Sequence, residues 1–439
     1  MLATLALSAL LLAAPPAPPA PPPSPAAATQ TMALEQRVQD IYAEMAKMQK
    51  AAKSDGPMTK EQTAAVKAKA AELAAQALES VDLTKLDAAG IAPATTLCRM
   101  AGDKKLAELS AALAAGAKRP DAEGFAFAVA AVTTMPDGAE GSKEADAQSK
   151  AAAALLGHPG LKDGFAGPSA RTFMMMLGEC EDADLKPYVA QLKSLGASFV
   201  PDAPSEVFGM STEWAKAMGR AAPGADAEAA RVQVLGAVKE RLAKATDEKK
   251  QKSLTRMAAL LDGAAMRGAL LGHPAPAMEI TWLARTEGTP SWKTLADLKG
   301  KVVVLDFWAT WCGPCVGSFP NVRAMRAKYS PEDVEIVGIT SAQGYVAHKK
   351  RERADCKDDV AKEQAELATF MKDMEMTWTV AMTKEDVFNP DFAIRGIPFV
   401  AIIDADGNVA KVGLHPSNEE GIQKAVDELV AKKNAGKKG

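Results

Sequence analysis

Cys312-Gly313-Pro314-Cys315 follows Phe307-Trp308-Ala309-Thr310-Trp311 and, before that, the apolar run Val302-Val303-Val304-Leu305. The order is that of a strand delivering two thiols onto the first turn of a helix. Thiols at this spacing share one helical face and lie within reach of a disulfide. First-turn N–H groups and the positive end of the helix dipole stabilise a thiolate, which lowers the pKa at Cys312. Cys312 therefore reads as the nucleophile and Cys315 as the thiol that resolves a mixed disulfide. Pro314 suits a first-turn position, where its missing N–H has no intrahelical use. A Cys-x-x-Cys pair can also be half of a zinc site. That site needs a second Cys or His pair at short spacing, and the sequence has none. Neither a metal nor an organic cofactor is expected.

The elements that must hold this pair can be read on either side of it. The strand from Val302 is apolar on both faces, as inside a sheet covered by helices. Asp306 interrupts it. A carboxyl buried there is costly to ionise, so its pKa should rise, and it could take a proton from the resolving thiol near neutral pH. The alternative is a strand-end Asp that hydrogen-bonds locally. The helix should run to about Lys328 with a kink at Pro320. Strands are expected at 278–283, 334–340, 377–382, 399–403 and 409–412, the last two joined by a hairpin at Asp404-Ala405-Asp406-Gly407-Asn408. Leu367, Phe370, Met371 and Met374 mark a helix that packs on the sheet. Ser417 and Glu420 should cap the last helix, with Ile422, Val426 and Leu429 inward. Ser341 to Glu363 is dense in charge and reads as a solvated insertion, with Cys356 an exposed spare thiol.

Strand, aromatic pair, Cys-Gly-Pro-Cys and helix together resemble the thioredoxin superfamily, and more closely its TlpA/ResA-like group of exported thiol-disulfide oxidoreductases, over residues 272–433. The resemblance implies an α/β thioredoxin-like C-terminal domain. It places Asp306 where the family carries its buried acid and Ile397-Pro398 in the loop opposite the cysteines, with a cis bond. Trp311, Gly313, Pro314, Ile397 and Pro398 would then form the face that substrates meet. The Gly-Pro pair implies a reduction potential nearer about −270 mV than about −120 mV. The implied partners are cysteine-containing exported proteins and an unidentified electron donor. Two other functions stay open. One is a thiol peroxidase, although Ala309 stands where those enzymes place Thr. The other is a non-enzymatic binding module that uses the helical domain.

At 439 residues the chain can hold two or three cores. Its net charge of −3 gives no reason to expect nucleic acid or an anionic surface as a partner. Five cysteines are too few for a disulfide scaffold. Residues 1–28 read as a signal peptide and a Pro/Ala-rich spacer. The apolar stretch from Leu2 to Ala14 is shorter than the about 20 residues of a membrane span, and it lacks a basic n-region. The protein is expected to be periplasmic or secreted, with no permanent membrane span.

Residues 29–272 read as a mainly α-helical N-terminal domain, loosely a helical-hairpin array, ahead of the redox domain at 273–439. Thr59 with Gln62 forms a capping box for a helix running to about Ser80. Further helices are expected at 104–115, 123–133, 143–156, 169–178, 185–195, 211–218, 225–245 and 247–271. Leu155-Leu156-Gly157-His158-Pro159 recurs as Leu270-Leu271-Gly272-His273-Pro274, in each case as a helix stop. Met174, Met175 and Met176 are expected in the core. Cys98 and Cys180 are expected to be buried free thiols.

Overall fold

The computed structural model describes residues 25–52, 58–136, 138, 142–349, 351–357 and 359–436. The expected signal peptide and most of the expected spacer lie outside these residues. The chain divides into two compact units, residues 1–237 and 238–439.

The first unit is mainly helical, with no strand among its described residues. Its helices include Lys60–Leu78, Asp103–Gly116, Ala122–Thr133, Lys143–Ala154, Ser169–Glu179 and Ser211–Ala221. The capping box is present: Gln62 N–H donates to Thr59 Oγ1 at 3.2 Å, and Thr59 N–H to Gln62 Oε1 at 2.8 Å. The helix Ile91–Ala101 lies outside the expected helices and carries Pro93 in its first turn. Proline in a first turn removes no intrahelical bond. Met174 is core, but Met175 is 61% exposed, so the methionine run does not all face inward. Cys98 and Cys180 are free and buried, and burial pushes their thiols up to about 11 and about 12. His158 ends its helix as a structural group. Its Nε2 lies 3.1 Å from Ala117 O, and its Nδ1 accepts from Gly160 N–H at 3.0 Å.

After the end of the helix Ala225–Lys244, the second unit continues with α1 (Glu248–Asp262), which stops at Gly263 rather than near Leu271. A Cβ at Gly263 would lie 2.1 Å from Pro390 O, so only glycine lets the helix end approach that loop so closely. The strands of the main sheet are β1 (Ile280–Ala284), β2 (Val302–Phe307), β3 (Val334–Ser341), β6 (Thr379–Thr383), β7 (Phe399–Ile403) and β8 (Val409–Leu414). Their order is β1-β6-β3-β2-β7-β8. β2 runs parallel to β3 and antiparallel to β7. All six residues of β2 are buried, and they alternate between two cores. Val302, Val304 and Trp308 pack with Cys312, Cys315, Phe319 and Trp378, whereas Val303, Leu305 and Phe307 pack with Leu270, Phe392 and Ile394. This is the thioredoxin-like arrangement expected of the C-terminal region.

The helices of this unit are α2 (Gly313–Gly317), α3 (Phe319–Lys328), α4 (Val360–Asp373) and α5 (Glu419–Gly436). The long helix expected after the cysteines is thus two helices parted at Ser318, with Pro320 in the first turn of the second. The cap of α5 is Asn418, whose Oδ1 accepts from Gly421 N–H at 3.1 Å, while Ser417 bonds His415. The charged insertion is not simply solvated. It folds into a hairpin of β4 (Tyr345–Val346) and β5 (Ala354–Asp355). Glu363 is buried because two amides need it: Gln343 and Gly344 N–H donate to its carboxylate at 2.6 and 2.9 Å. Cys356 is also buried, its N–H bonded to Gly344 O at 2.8 Å, which corrects the expectation of an exposed thiol.

Candidate active site

Strand β2 continues past Phe307 through a bond from Trp308 N–H to Ile339 O at 3.0 Å, which fixes where the chain leaves the sheet. Cys312 then takes the N-cap of α2, and its Sγ accepts from Cys315 N–H at 3.2 Å. The two cysteines are joined in a disulfide with Cα atoms 5.3 Å apart. Cys312 is 4% exposed and Cys315 1%, so the first is the more accessible residue. Trp311, Gly313 and Pro314 are exposed around it. Ser318 Oγ donates to Cys315 O at 2.7 Å, satisfying a carbonyl where the helix breaks.

The Ile397–Pro398 bond is cis, and Ile397 O lies 3.6 Å from Cys312 Sγ. A substrate segment at this edge would meet a backbone carbonyl beside the disulfide, the geometry by which extended chains pair.

Asp306 shares the face of β2 that carries Val304 and Trp308, which is the cysteine side. It is 2% exposed, and its Oδ1 has no hydrogen-bond partner. Burial pushes its carboxyl up to about 7. Gly338 is its partner on β3. A Cβ there would lie 2.7 Å from Trp308 Nε1 and 3.0 Å from Trp378 Nε1. Both indole N–H groups are buried without a partner. A side chain at 338 would press on both indoles.

The structure brings Cys312, Cys315, Ile397 and Pro398 together, places Asp306 on the same side of the sheet, and leaves Trp311 at the rim. Sequence reasoning missed what holds that rim. Trp311 Nε1–H donates to Gln343 Oε1 at 2.9 Å, and the indole stacks on Phe388 with centroids 6.4 Å apart. Gln343 had no signal in the sequence. Phe388 had a weak one, an aromatic in a polar loop, and Gly338 a better one, since a lone glycine in a buried strand marks close approach. Among the described residues no cluster of His, Cys, Asp and Glu could hold a metal ion.

Strand order, disulfide and opposing loop define a thioredoxin-like domain. The Redoxin family matches residues 270–430, and the C-terminal region is a redoxin domain. The chain is similar to a thiol-disulfide oxidoreductase ResA of Bacillus cereus, 27% identical over 129 residues, covering 29% of this chain and 64% of that protein. ResA of Oceanobacillus iheyensis is 39% identical over 70 residues, 16% of this chain and 36% of that protein. The chain thus spans less than two thirds of the length of these relatives. An exposed lipoprotein thioredoxin of Streptococcus pneumoniae superposes with 23% identity and a TM-score of 0.26, over 35% of this chain and 100% of that one. No helix among the described residues is long and apolar enough to cross a membrane.

Proposed function

We propose that the redoxin domain exchanges disulfides with cysteine-containing exported proteins, in the periplasm or outside the cell. The observation that carries this reading is the Cys312–Cys315 disulfide at a strand-to-helix junction, 3.6 Å from the Ile397 carbonyl. In the reducing direction, Cys312 thiolate attacks a substrate disulfide and expels one substrate thiolate. Cys315 thiolate then attacks Cys312, closing the intramolecular disulfide and releasing the second. Two electrons pass from the pair to the substrate. Asp306 takes the Cys315 proton, which a carboxylate titrating near 7 can do at neutral pH. Trp311, Gly313, Pro314, Ile397 and Pro398 line the substrate face. A second thiol protein, the electron donor, restores the reduced pair. The reaction draws on no metal and no organic cofactor.

In this reading residues 1–28 direct export, residues 29–272 form the helical domain, and α1 is a helix lent by that segment to the redox unit. The test is single turnover of the reduced protein on a protein disulfide. Wild type should transfer two electrons per protein, and Cys312→Ser none. Wild-type rates in Cys312→Ser would overturn the assignment.

A further inference from the structure

The Trp311–Phe388 stack continues into α1, upstream of the residues that the Redoxin family matches. The Arg256 guanidinium lies 4.7 Å from the Phe388 centroid. It also meets Asp386 at 3.9 Å, a long pair with both side chains mostly exposed. α1 is anchored to the same loop. Ala264 N–H donates to Asp391 Oδ1 and Ala265 N–H to Asp391 O, each at 2.9 Å, beside the Gly263–Pro390 contact.

Going back along α1 from Arg256, Lys252 and Lys249 follow at helical spacing on one face. All three are exposed, as is Lys250. None of the three lysines has an ion pair among the described residues. The opposing charges here are Glu248 at the start of α1, the Asp247 cap, which accepts from Lys250 N–H at 2.8 Å, and Asp386. Cations outnumber the acids along the strip. From Lys249 to Arg256 the helix rises about 10 Å, the reach of about three extended residues.

We propose that this basic face of α1, continuous with Phe388 and Trp311, is the docking site for an acidic segment of the substrate polypeptide beside its disulfide. The inference rests on the disulfide-exchange reading and deepens it by naming the substrate class. Charge complementarity selects the occupant: a row of exposed cations that reaches Trp311 through Phe388 raises the encounter rate of an acidic flank and repels a basic one.

Three synthetic peptide disulfides test this, identical except for three flanking residues that are Glu, Gln or Lys. Each is mixed with the pre-reduced full-length protein, and the second-order rate of peptide thiol release is measured at low and high salt. The Glu peptide should react about tenfold faster than the Lys peptide at low salt, with the ratio falling toward one near 1 M. K249E/K252E/R256E should invert the order, and a gain on the Lys peptide cannot arise from misfolding. K249Q/K252Q/R256Q should flatten it.

Equal rates for all three peptides in wild type, or an order unchanged by the reversal, would overturn the inference while leaving disulfide exchange standing. Reduction of none of them would overturn disulfide exchange, and the inference with it. Wild-type binding to anionic lipid vesicles that the reversal abolishes, with no peptide discrimination, would overturn the peptide assignment in favour of a membrane surface.

Discussion

Replacing Asp306 by Asn removes a carboxyl that burial pushes from an ordinary 3.8 up to about 7. The difference converts, at 1.36 kcal/mol per unit, to about 4 kcal/mol. Between the two values the folded protein keeps a proton that the unfolded chain has lost. Stability therefore falls as pH rises, by about 1.4 kcal/mol per unit, and levels off above about 7. Asn carries no such loss. Urea unfolding of the oxidised protein, read at the transition of the redox unit, should show wild type and Asp306→Asn close together near pH 4. They should diverge steadily above that and hold a constant gap of about 4 kcal/mol in favour of the variant above pH 7. The same variant should resolve a mixed disulfide more slowly than wild type at neutral pH, because Cys315 has lost its base. A gap independent of pH would refute the burial of an ionisable acid, and unchanged resolution would remove its proton-transfer role.

Cys315→Ser should leave Cys312 able to attack but not to be released, so alkylation of the native compartment should recover covalent complexes with cysteine-containing exported proteins. Recovery no greater than from the double Cys→Ser variant would count against exchange in the cell. Gly338→Ala should destabilise by about 1–3 kcal/mol through overpacking against two indoles, visible as lost near-ultraviolet dichroism from Trp308 and Trp378. An unperturbed aromatic spectrum would show that the two indoles make room without reorienting.

Much of the redox unit was legible because its signals are local. A buried run of branched residues, a Cys-x-x-Cys pair at a helix start and an Asp-Gly turn each specify their own geometry within a few residues. What was not legible depends on partners distant in sequence. Glu363 reads as one charge among many until the amides of Gln343 and Gly344 are seen to need an acceptor. The end of α1 depends on Gly263 meeting Pro390, more than a hundred residues away. Cys356 was misread for the same reason: its acidic neighbours describe the sequence around it, while a hairpin determines its exposure.

Cys98, Cys180 and Cys356 are each buried, and burial raises each thiol's pKa. A protein that passes through covalent intermediates with other proteins risks being attacked by its own thiols. Here those three are withheld both sterically and by protonation, so on the proposed mechanism an intermediate at Cys312 would be intercepted from within only by Cys315. Self-scrambling then requires local or global opening first, and its rate inherits the unfolding equilibrium of whichever unit holds the thiol. Fidelity of exchange thereby becomes a property of the cores. Mutations far from the cysteines that loosen packing around Cys98 or Cys180 should surface as wrongly bridged species before they register as lost activity.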